Sequence, residues 1–399
     1  MSDILIKNTR IVSERKIYGG DILIRNGVIE STDFRGELPR GCEIIDAGGD
    51  YVSAGFVDIH VHGGGGYDFM DCTKEAFCGI SEAHLRCGTT TLLPTAVSAR
   101  FDSILKLIDT YKRFSGLCPN FCGIHLEGPY ISPNQKGAHN AALLHSPTEE
   151  ETEILLSEGK KVIKRITAAP ELDGMADFAK KMCDCGVMMS LGHSDADCET
   201  ALWAFKNGFS HVTHLYSATP SVRKIDQTVR AGVIEAAYLD DSVTVELIAD
   251  GKHMAVGAFQ LAVKIKGVEN TALVTDALRP AGTNAKESWL GEKIPENRVI
   301  IEDGVAKLPD RSSFAGSIAT ASTLLEKGVK HYGATLADTV AMITEAPARI
   351  MGLKNKGKIR PGFDADMVIF DKELKIRKVL TGGRLAADND RISNLRAGI

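Results

Sequence analysis

An α/β fold, a (β/α)8 TIM-like barrel joined to a small discontinuous β-sandwich drawn from both chain ends, is what this sequence predicts, on three observations. Short apolar runs alternate with amphipathic helical stretches through the middle of the chain, the pattern of βα units around a parallel sheet. Eight such runs span about 250 residues, the usual size of a closed barrel. Turn-punctuated β-rich segments stand at both ends, and neither end alone supplies enough strands for a stable sheet. With 399 residues, 44% hydrophobic and 25% charged, the chain has the balance of a globular protein with one large domain and a satellite.

In chain order, residues 1–53 read as the first part of the sandwich: DILIKNTRIV, GGDILIRNGVIEST and CEIIDAGGDYVSAG are β-rich, with Asn-Gly and Gly-Gly turns. Residues 54–352 read as the barrel. Its strands are GFVDIHVH, TTTLLPTAV, FCGIHLEG, KRITAAPE, GVMMSLGHS, FSHVTHLYS, VTVELIADGKH and TALVTDA, starting near residues 55, 89, 121, 164, 186, 209, 243 and 271. Helices such as FDSILKLIDTYKRF and MADFAKKMCDCG lie between them. A loop segment follows the eighth strand, then the helices SIATASTLLEKGVKHYG and ADTVAMITEAPARIMG. Residues 353–399, with GKIRPGFDADMVIFD and KIRKVLTGGRLAA, return to complete the sandwich.

Charge excludes some partners. Lys plus Arg is 47 against 52 Asp plus Glu, a net charge of −5, so no bulk attraction for nucleic acid or an anionic membrane is expected. No apolar run is long enough for a transmembrane helix or a signal peptide. The cysteines number nine, and Cys183 and Cys185 are too close for a CxxC motif. All are read as reduced thiols of a cytoplasmic protein. The run Gly63–Gly66 is not a phosphate loop, because no Gly-Lys-Ser/Thr follows, and it is read as a flexible loop over the barrel mouth.

The polar residues sit where catalytic groups of such a barrel converge. The first strand ends in His60-Val61-His62, the third in Glu127, the fifth in His193, the sixth in His214, the seventh in His253 and the eighth in Asp276. These C-terminal ends face one mouth, and period-two alternation points both imidazoles of His60 and His62 to the same side. Taken singly, Glu127 could cap a turn, Asp276 a helix, and each histidine could be a core residue. Their joint placement at matching strand ends argues for a shared metal site. Imidazole and carboxylate ligands without thiolate suit Zn²⁺, with Fe²⁺ or another first-row divalent ion as alternatives. A hydrolytic site also needs a base for the attacking water, and Asp276 is the candidate. His84, His125, His145, His211 and His331 lack this placement and are read as structural.

These motifs resemble the amidohydrolase superfamily and, within it, the N-acetylglucosamine-6-phosphate deacetylases. GFVDIHVHG is similar to the superfamily's first-strand signature, and GKIRPGFDADMVIFD to its β-sandwich return. HLEGPYISPNQKGAH (125–139), LGHSDAD (191–197), THLYS (213–217), IADGKH (248–253) and TDA (275–277) resemble the deacetylases. The resemblance implies Glu127, His193 and His214 as core metal ligands, and His60 and His62 as ligands of a second position that some members fill, giving one or two divalent ions per chain. It implies Asp276 as the catalytic acid–base, and Ala138, His139, Ser217, Ala218, His253, Phe314, Ala315 and Gly316 as substrate contacts. The fourth strand offers Ala168-Ala169-Pro170 at its end, and no lysine there to bridge two metals as in many superfamily members. Two departures stand out: Ser217 replaces the usual Asn, and the family's Arg-Glu-Pro-Gly turn is absent. Arg223 is the expected replacement for the phosphate arginine, with Lys224 and Arg230 as alternatives. The implied reaction is hydrolysis of the N-acetyl group of N-acetylglucosamine 6-phosphate to glucosamine 6-phosphate and acetate. The alternative is another N-acyl amino sugar, either the galactosamine epimer or an unphosphorylated sugar. A homodimer is expected.

Overall fold

The computed structural model describes residues 3–391, so residues 1, 2 and 392–399 of the predicted terminal segments lie outside the described residues. Eight parallel strands form the barrel: Phe56–Val61, Thr89–Ala96, Ile124–Glu127, Ile163–Ala168, Met188–Leu191, Phe209–Val212, Thr244–Ile248 and Thr271–Val274. They are called the first to eighth strands below. Buried on both faces, they need near-continuous apolar or β-branched sequence, and all eight residues of Thr89–Ala96 are buried.

The barrel closes between its eighth and first strands. Asp276 N donates to His60 O (3.0 Å) and His62 N to Ala277 O (2.9 Å). Thr275 Oγ1 donates to Asp58 Oδ2 (2.6 Å). The bonds that close the barrel therefore also hold His60, His62 and Asp276 side by side. Outside, the helices bury one stripe each. Phe101–Phe114 buries Ile104, Leu107 and Ile108, and Met175–Asp184 buries Met175, Phe178, Ala179 and Met182, which is the spacing of an amphipathic helix. Thr148 and Glu151 form a capping box at the start of Glu149–Glu158.

The two chain ends meet in one eight-stranded mixed sheet, which occupies the place of the expected sandwich. Ile4–Ser13 pairs antiparallel with Lys16–Arg25 and parallel with Tyr51–Ala54. Met367–Phe370 then adds antiparallel to Tyr51–Ala54. The alternation along Met367-Val368-Ile369-Phe370 joins sheet to barrel. Val368 and Phe370 pack into the core that includes Val12 and Phe56. Met367 and Ile369 pack with Ile6, Ile11, Ile22 and Leu380 on the other face.

Three expectations need correction. Gly63–Gly66 is not an open loop. Gly63–Gly64 pairs antiparallel with Tyr67–Asp68, and Gly63 N and Gly65 N donate to Ala277 O and Ala281 O (both 2.8 Å). A Cβ on Gly63 would lie 2.2 Å from Tyr67 O, so only glycine permits this approach. The stretch after the eighth strand holds a three-stranded antiparallel sheet, Glu287–Trp289, Arg298–Glu302 and Val305–Lys307. Strands of three to five residues carry too little alternation to be read locally. The helix expected over 337–352 breaks at Thr344 into Leu336–Ile343 and Glu345–Ile350, with Pro347, which has no N–H to donate, in the first turn of the second.

Because Phe370 is fully buried between sheet and barrel, Phe370→Ala should cost about 3–5 kcal/mol. Replacing the exposed Lys372 by Ala should stay within about 0.5 kcal/mol. Urea unfolding of the two variants beside wild type checks this.

Candidate metal centre and its cavity

His60 and His62, one pleat apart, project to the same side, with their Nε2 atoms 3.3 Å apart. Glu127 closes the third strand. His193, His214 and Asp276 each lie just past a strand end with positive φ (49°, 27° and 47°). Such backbone costs of order 1–3 kcal/mol per residue and persists only where the surroundings enforce it. Here they do: His193 Nδ1 meets Gln135 O (2.8 Å), His214 N donates to Glu246 Oε1 (3.0 Å), and Asp276 N is committed to barrel closure. The glycine before His193 is also required, since a Cβ on Gly192 would stand 2.6 Å from Thr213 Cβ.

Glu127 is the hub. Its Oε1 lies 3.3 Å from His60 Nε2, 3.2 Å from His193 Nε2 and 3.0 Å from His214 Nε2. Its Oε2 lies 3.1 Å from His62 Nε2 and 3.4 Å from His139 Nε2. Asp276 Oδ1 stands 3.4 Å from His60 Nε2 and 3.3 Å from His62 Nε2. Burial opposes charge on Glu127, but His60 and the other imidazoles outweigh it and hold its carboxyl well below the usual range.

The donor set fits a divalent cation. His193 Nδ1 and His214 Nδ1 face carbonyl oxygens, of Gln135 (2.8 Å) and Ser217 (3.1 Å), and each must donate there. Their Nε2 atoms then carry lone pairs, yet stand 3.0 Å from each other and beside a carboxylate. Lone pairs converging on a carboxylate are the arrangement that metal ligation stabilises. His139 differs. Its Nδ1 meets Ser98 Oγ (2.7 Å) and accepts Ser98 N–H (3.3 Å), which leaves the proton on Nε2. Burial, with His193 nearby, pushes its pKa down to about 4, so it is neutral, with its Nε2–H directed at Glu127 Oε2.

Beneath the cluster lies a polar layer that sequence reasoning missed. Glu246, mid-strand on the seventh strand and fully buried, takes Arg165 Nη1 of the fourth strand at 2.6 Å. It also takes His60 Nδ1 at 2.7 Å. Burial opposes its charge, but Arg165 and His60 keep its carboxyl well below the usual range. His125 and His211, read as structural, belong here. His125 Nε2 meets Thr167 Oγ1 (2.7 Å), and His211 Nδ1 meets Thr244 Oγ1 (2.7 Å). The available signal was opposite charges inside two otherwise apolar strands, KRITAA and TVELI, because buried charges occur in pairs.

Above the cluster opens a cavity of about 560 Å³. His62, Glu127, His193, His214 and Asp276 reach it, as do Ala138, His139, Ser217, Ala218, His253, Phe314, Ala315 and Gly316 of the predicted substrate contacts. His60 is fully buried below. His253 is oriented by Asp250, whose Oδ2 lies 2.8 Å from Nδ1. Arg223 is not brought to the cavity wall. It sits on the hairpin Arg223–Ile225/Thr228–Arg230, and its Nη1 donates to Asp195 Oδ1 (3.0 Å). Lys224 and Arg230 are exposed on the same hairpin. Lys136 is the one lysine or arginine among the described residues lining the cavity.

The sequence model of the amidohydrolase family matches residues 51–387. The chain is 31% identical over 356 residues to the N-acetylglucosamine-6-phosphate deacetylase of Lysinibacillus sphaericus, covering 87% of this chain and 88% of that protein. It is also 31% identical over 340 residues to the N-acetylgalactosamine-6-phosphate deacetylase of Shewanella sp. strain ANA-3, covering 83% and 82%. Among solved structures, the N-acetylglucosamine-6-phosphate deacetylase of Pasteurella multocida superposes with a TM-score of 0.90 at 26% identity, over 97% of this chain and all of that one. With the family's sequence pattern spanning most of its length, on a barrel whose strand ends gather one carboxylate and its imidazoles, this chain belongs to the amidohydrolase family.

Proposed function

We propose that this protein hydrolyses the acetamide of N-acetylglucosamine 6-phosphate, releasing acetate and glucosamine 6-phosphate. The observation that carries the reading is the convergence of four imidazole Nε2 atoms on Glu127, with Asp276 beside them, at the floor of a cavity in a chain similar to deacetylases of this substrate. The Shewanella relative, equally similar, acts on the galactosamine epimer by its name, and that sugar is the second reading.

Glu127, His193 and His214 would hold a core divalent ion, Zn²⁺ by ligand type, and His60 and His62 a second. Such an ion supplies Lewis acidity and brings a water's pKa to about 7. Asp276, reaching the cavity with its Oδ1 at the cluster, takes the proton of the attacking water as the new C–O bond forms. It returns that proton to the amine nitrogen as the C–N bond breaks. His139, locked by Ser98 as an Nε2–H donor, hydrogen-bonds the acetamide oxygen or the sugar. His253 and Lys136 offer donors to hydroxyl and phosphate oxygens. Arg223, the sequence candidate for the phosphate, is engaged by Asp195, whereas Lys136 lies on the wall itself. Unpaired cysteines throughout support a cytoplasmic setting.

Metal analysis after gentle purification should give one to two divalent ions per chain, and dialysis against a strong chelator should abolish activity until the ion is restored. Full activity in metal-free protein would end this mechanism. Asp276→Asn keeps size and polarity but removes the base, and general acid–base groups contribute about 10²–10⁴-fold. Turnover should fall by at least that factor, with the circular dichroism spectrum unchanged. A hydrogen bond to a charged group is worth about 1.5–3 kcal/mol, or roughly 10- to 150-fold. Lys136→Ala should lower kcat/KM by that factor on the phosphorylated sugar and leave the unphosphorylated one nearly unaffected. If Arg223→Ala shows that selectivity and Lys136→Ala does not, the phosphate belongs to the arginine. Side-by-side kinetics on the two epimers decide between the sugars.

A further inference from the structure

The two proposed metal positions are oriented by different means. In the core position, His193 and His214 have their Nδ1 atoms fixed by backbone carbonyls of neighbouring loops. In the second position, His62 Nδ1 is buried with no hydrogen-bond partner, so nothing holds that ring from its remote nitrogen. His60 alone is held there, and a side chain holds it: Glu246 Oε1, 2.7 Å from His60 Nδ1.

Glu246 is itself immobilised. Its Oε1 also accepts His214 N–H (3.0 Å). Its Oε2 takes Arg165 Nη1 at 2.6 Å and stands 3.3 Å from His211 Nε2. Arg165 is fixed in turn by Ile59 O (3.1 Å), Ser190 Oγ (2.9 Å) and Thr213 Oγ1 (2.9 Å). Both members of the pair are wholly buried, and a buried carboxylate of this kind stays in place because its counter-charge and hydrogen bonds do.

We infer that Glu246 is a positioning residue that makes the second metal position: by accepting His60 Nδ1–H, it leaves His60 only Nε2 to offer an ion. The inference rests on the metal reading above. A carboxylate partner on the remote nitrogen fixes ring orientation and raises ligand basicity, and losing such a partner typically costs 10–100-fold in metal affinity. Glu246→Gln has almost the same shape but replaces one acceptor oxygen by an NH₂ group. Arg165 donates only and is the closer charged partner, so it claims the remaining oxygen and turns the NH₂ toward His60 and the His214 N–H. A ring facing a donor at Nδ1 must accept there and carry its proton on Nε2, where the ion would bind.

The test is a Zn²⁺ titration against a competing chelator on apo wild-type protein and on Glu246→Gln, with ¹⁵N-histidine NMR of both apo forms. Two binding steps are expected for wild type. In the variant, the weaker step should lose 10–100-fold and the tighter one, whose His214 N–H also bonds Glu246 Oε1, should lose less than the weaker, and the His60 Nδ1–H signal should disappear. Should Glu246→Gln not fold, the double variant Arg165→Met/Glu246→Leu removes both charges together and should show the same selective loss. Two unchanged steps in a folded variant, or equal weakening of both, would overturn the positioning role and leave the metal reading intact. A wild-type protein that binds only one ion would overturn the second position itself.

Discussion

One buried carboxylate organises this molecule. Glu127, 2% exposed, has five imidazole Nε2 atoms within 3.4 Å, from His60, His62, His139, His193 and His214. Only His139 is held as a donor toward it. Without a cation between them, the Nε2 lone pairs of His193 and His214 confront each other and the carboxylate. Where the ligands converge this closely only in the folded chain, binding free energy is also folding free energy. Much of the architecture above the barrel floor can be understood as keeping these groups in register until an ion satisfies them.

The barrel keeps that register through its closure. The hydrogen bonds between the eighth and first strands run through His60 O, His62 N, Asp276 N and Ala277 O, so the seam of the barrel and the seam of the site coincide. A slip of one residue would turn His60 and His62 outward and break the closure bonds too. The positive-φ residues His193, His214 and Asp276 are strained against this rigid frame, as residues held for their chemistry often are. Stability comes from elsewhere: from the apolar layer outside the strands and from the terminal sheet, whose Val368 and Phe370 pack into that layer.

What could be read from the sequence follows from range. The eight barrel strands begin within three residues of their expected starts, because apolar runs and turn residues are local signals. The cluster was legible for the same reason, since each member stands at a strand end and parallel topology does the rest. A charge inside each strand was visible, but the pairing of Glu246 with Arg165 was not legible. They lie 81 residues apart, and nothing near either announces the other until the barrel is closed. The hairpin at Arg223 and the three-stranded sheet after the eighth strand are too short to carry a period. The position of Arg223 depends on Asp195, a contact between two loops that no spacing encodes.

The loop from Pro133 to His139 illustrates how the remaining specificity is wired. Gln135 O fixes the tautomer of His193, and Gln135 Nε2 donates to Asp195 Oδ1 (3.2 Å), the carboxylate that engages Arg223. Lys136 faces the cavity beside it, and His139 ends the loop as the neutral N–H donor. The orientation of His193, the cations Lys136 and Arg223 and the His139 N–H are thus linked through seven residues of backbone and the Asp195 carboxylate. A change that moves the backbone at Gln135 would also move His193, whereas a side chain such as Lys136 can change with that carbonyl in place. The Arg223 hairpin, in contrast, touches the loop through Asp195 alone among the groups described here. Charge can therefore change on the hairpin with little effect on the groups around Glu127, and the hairpin follows the THLYS segment (213–217), after which the Arg-Glu-Pro-Gly turn is absent.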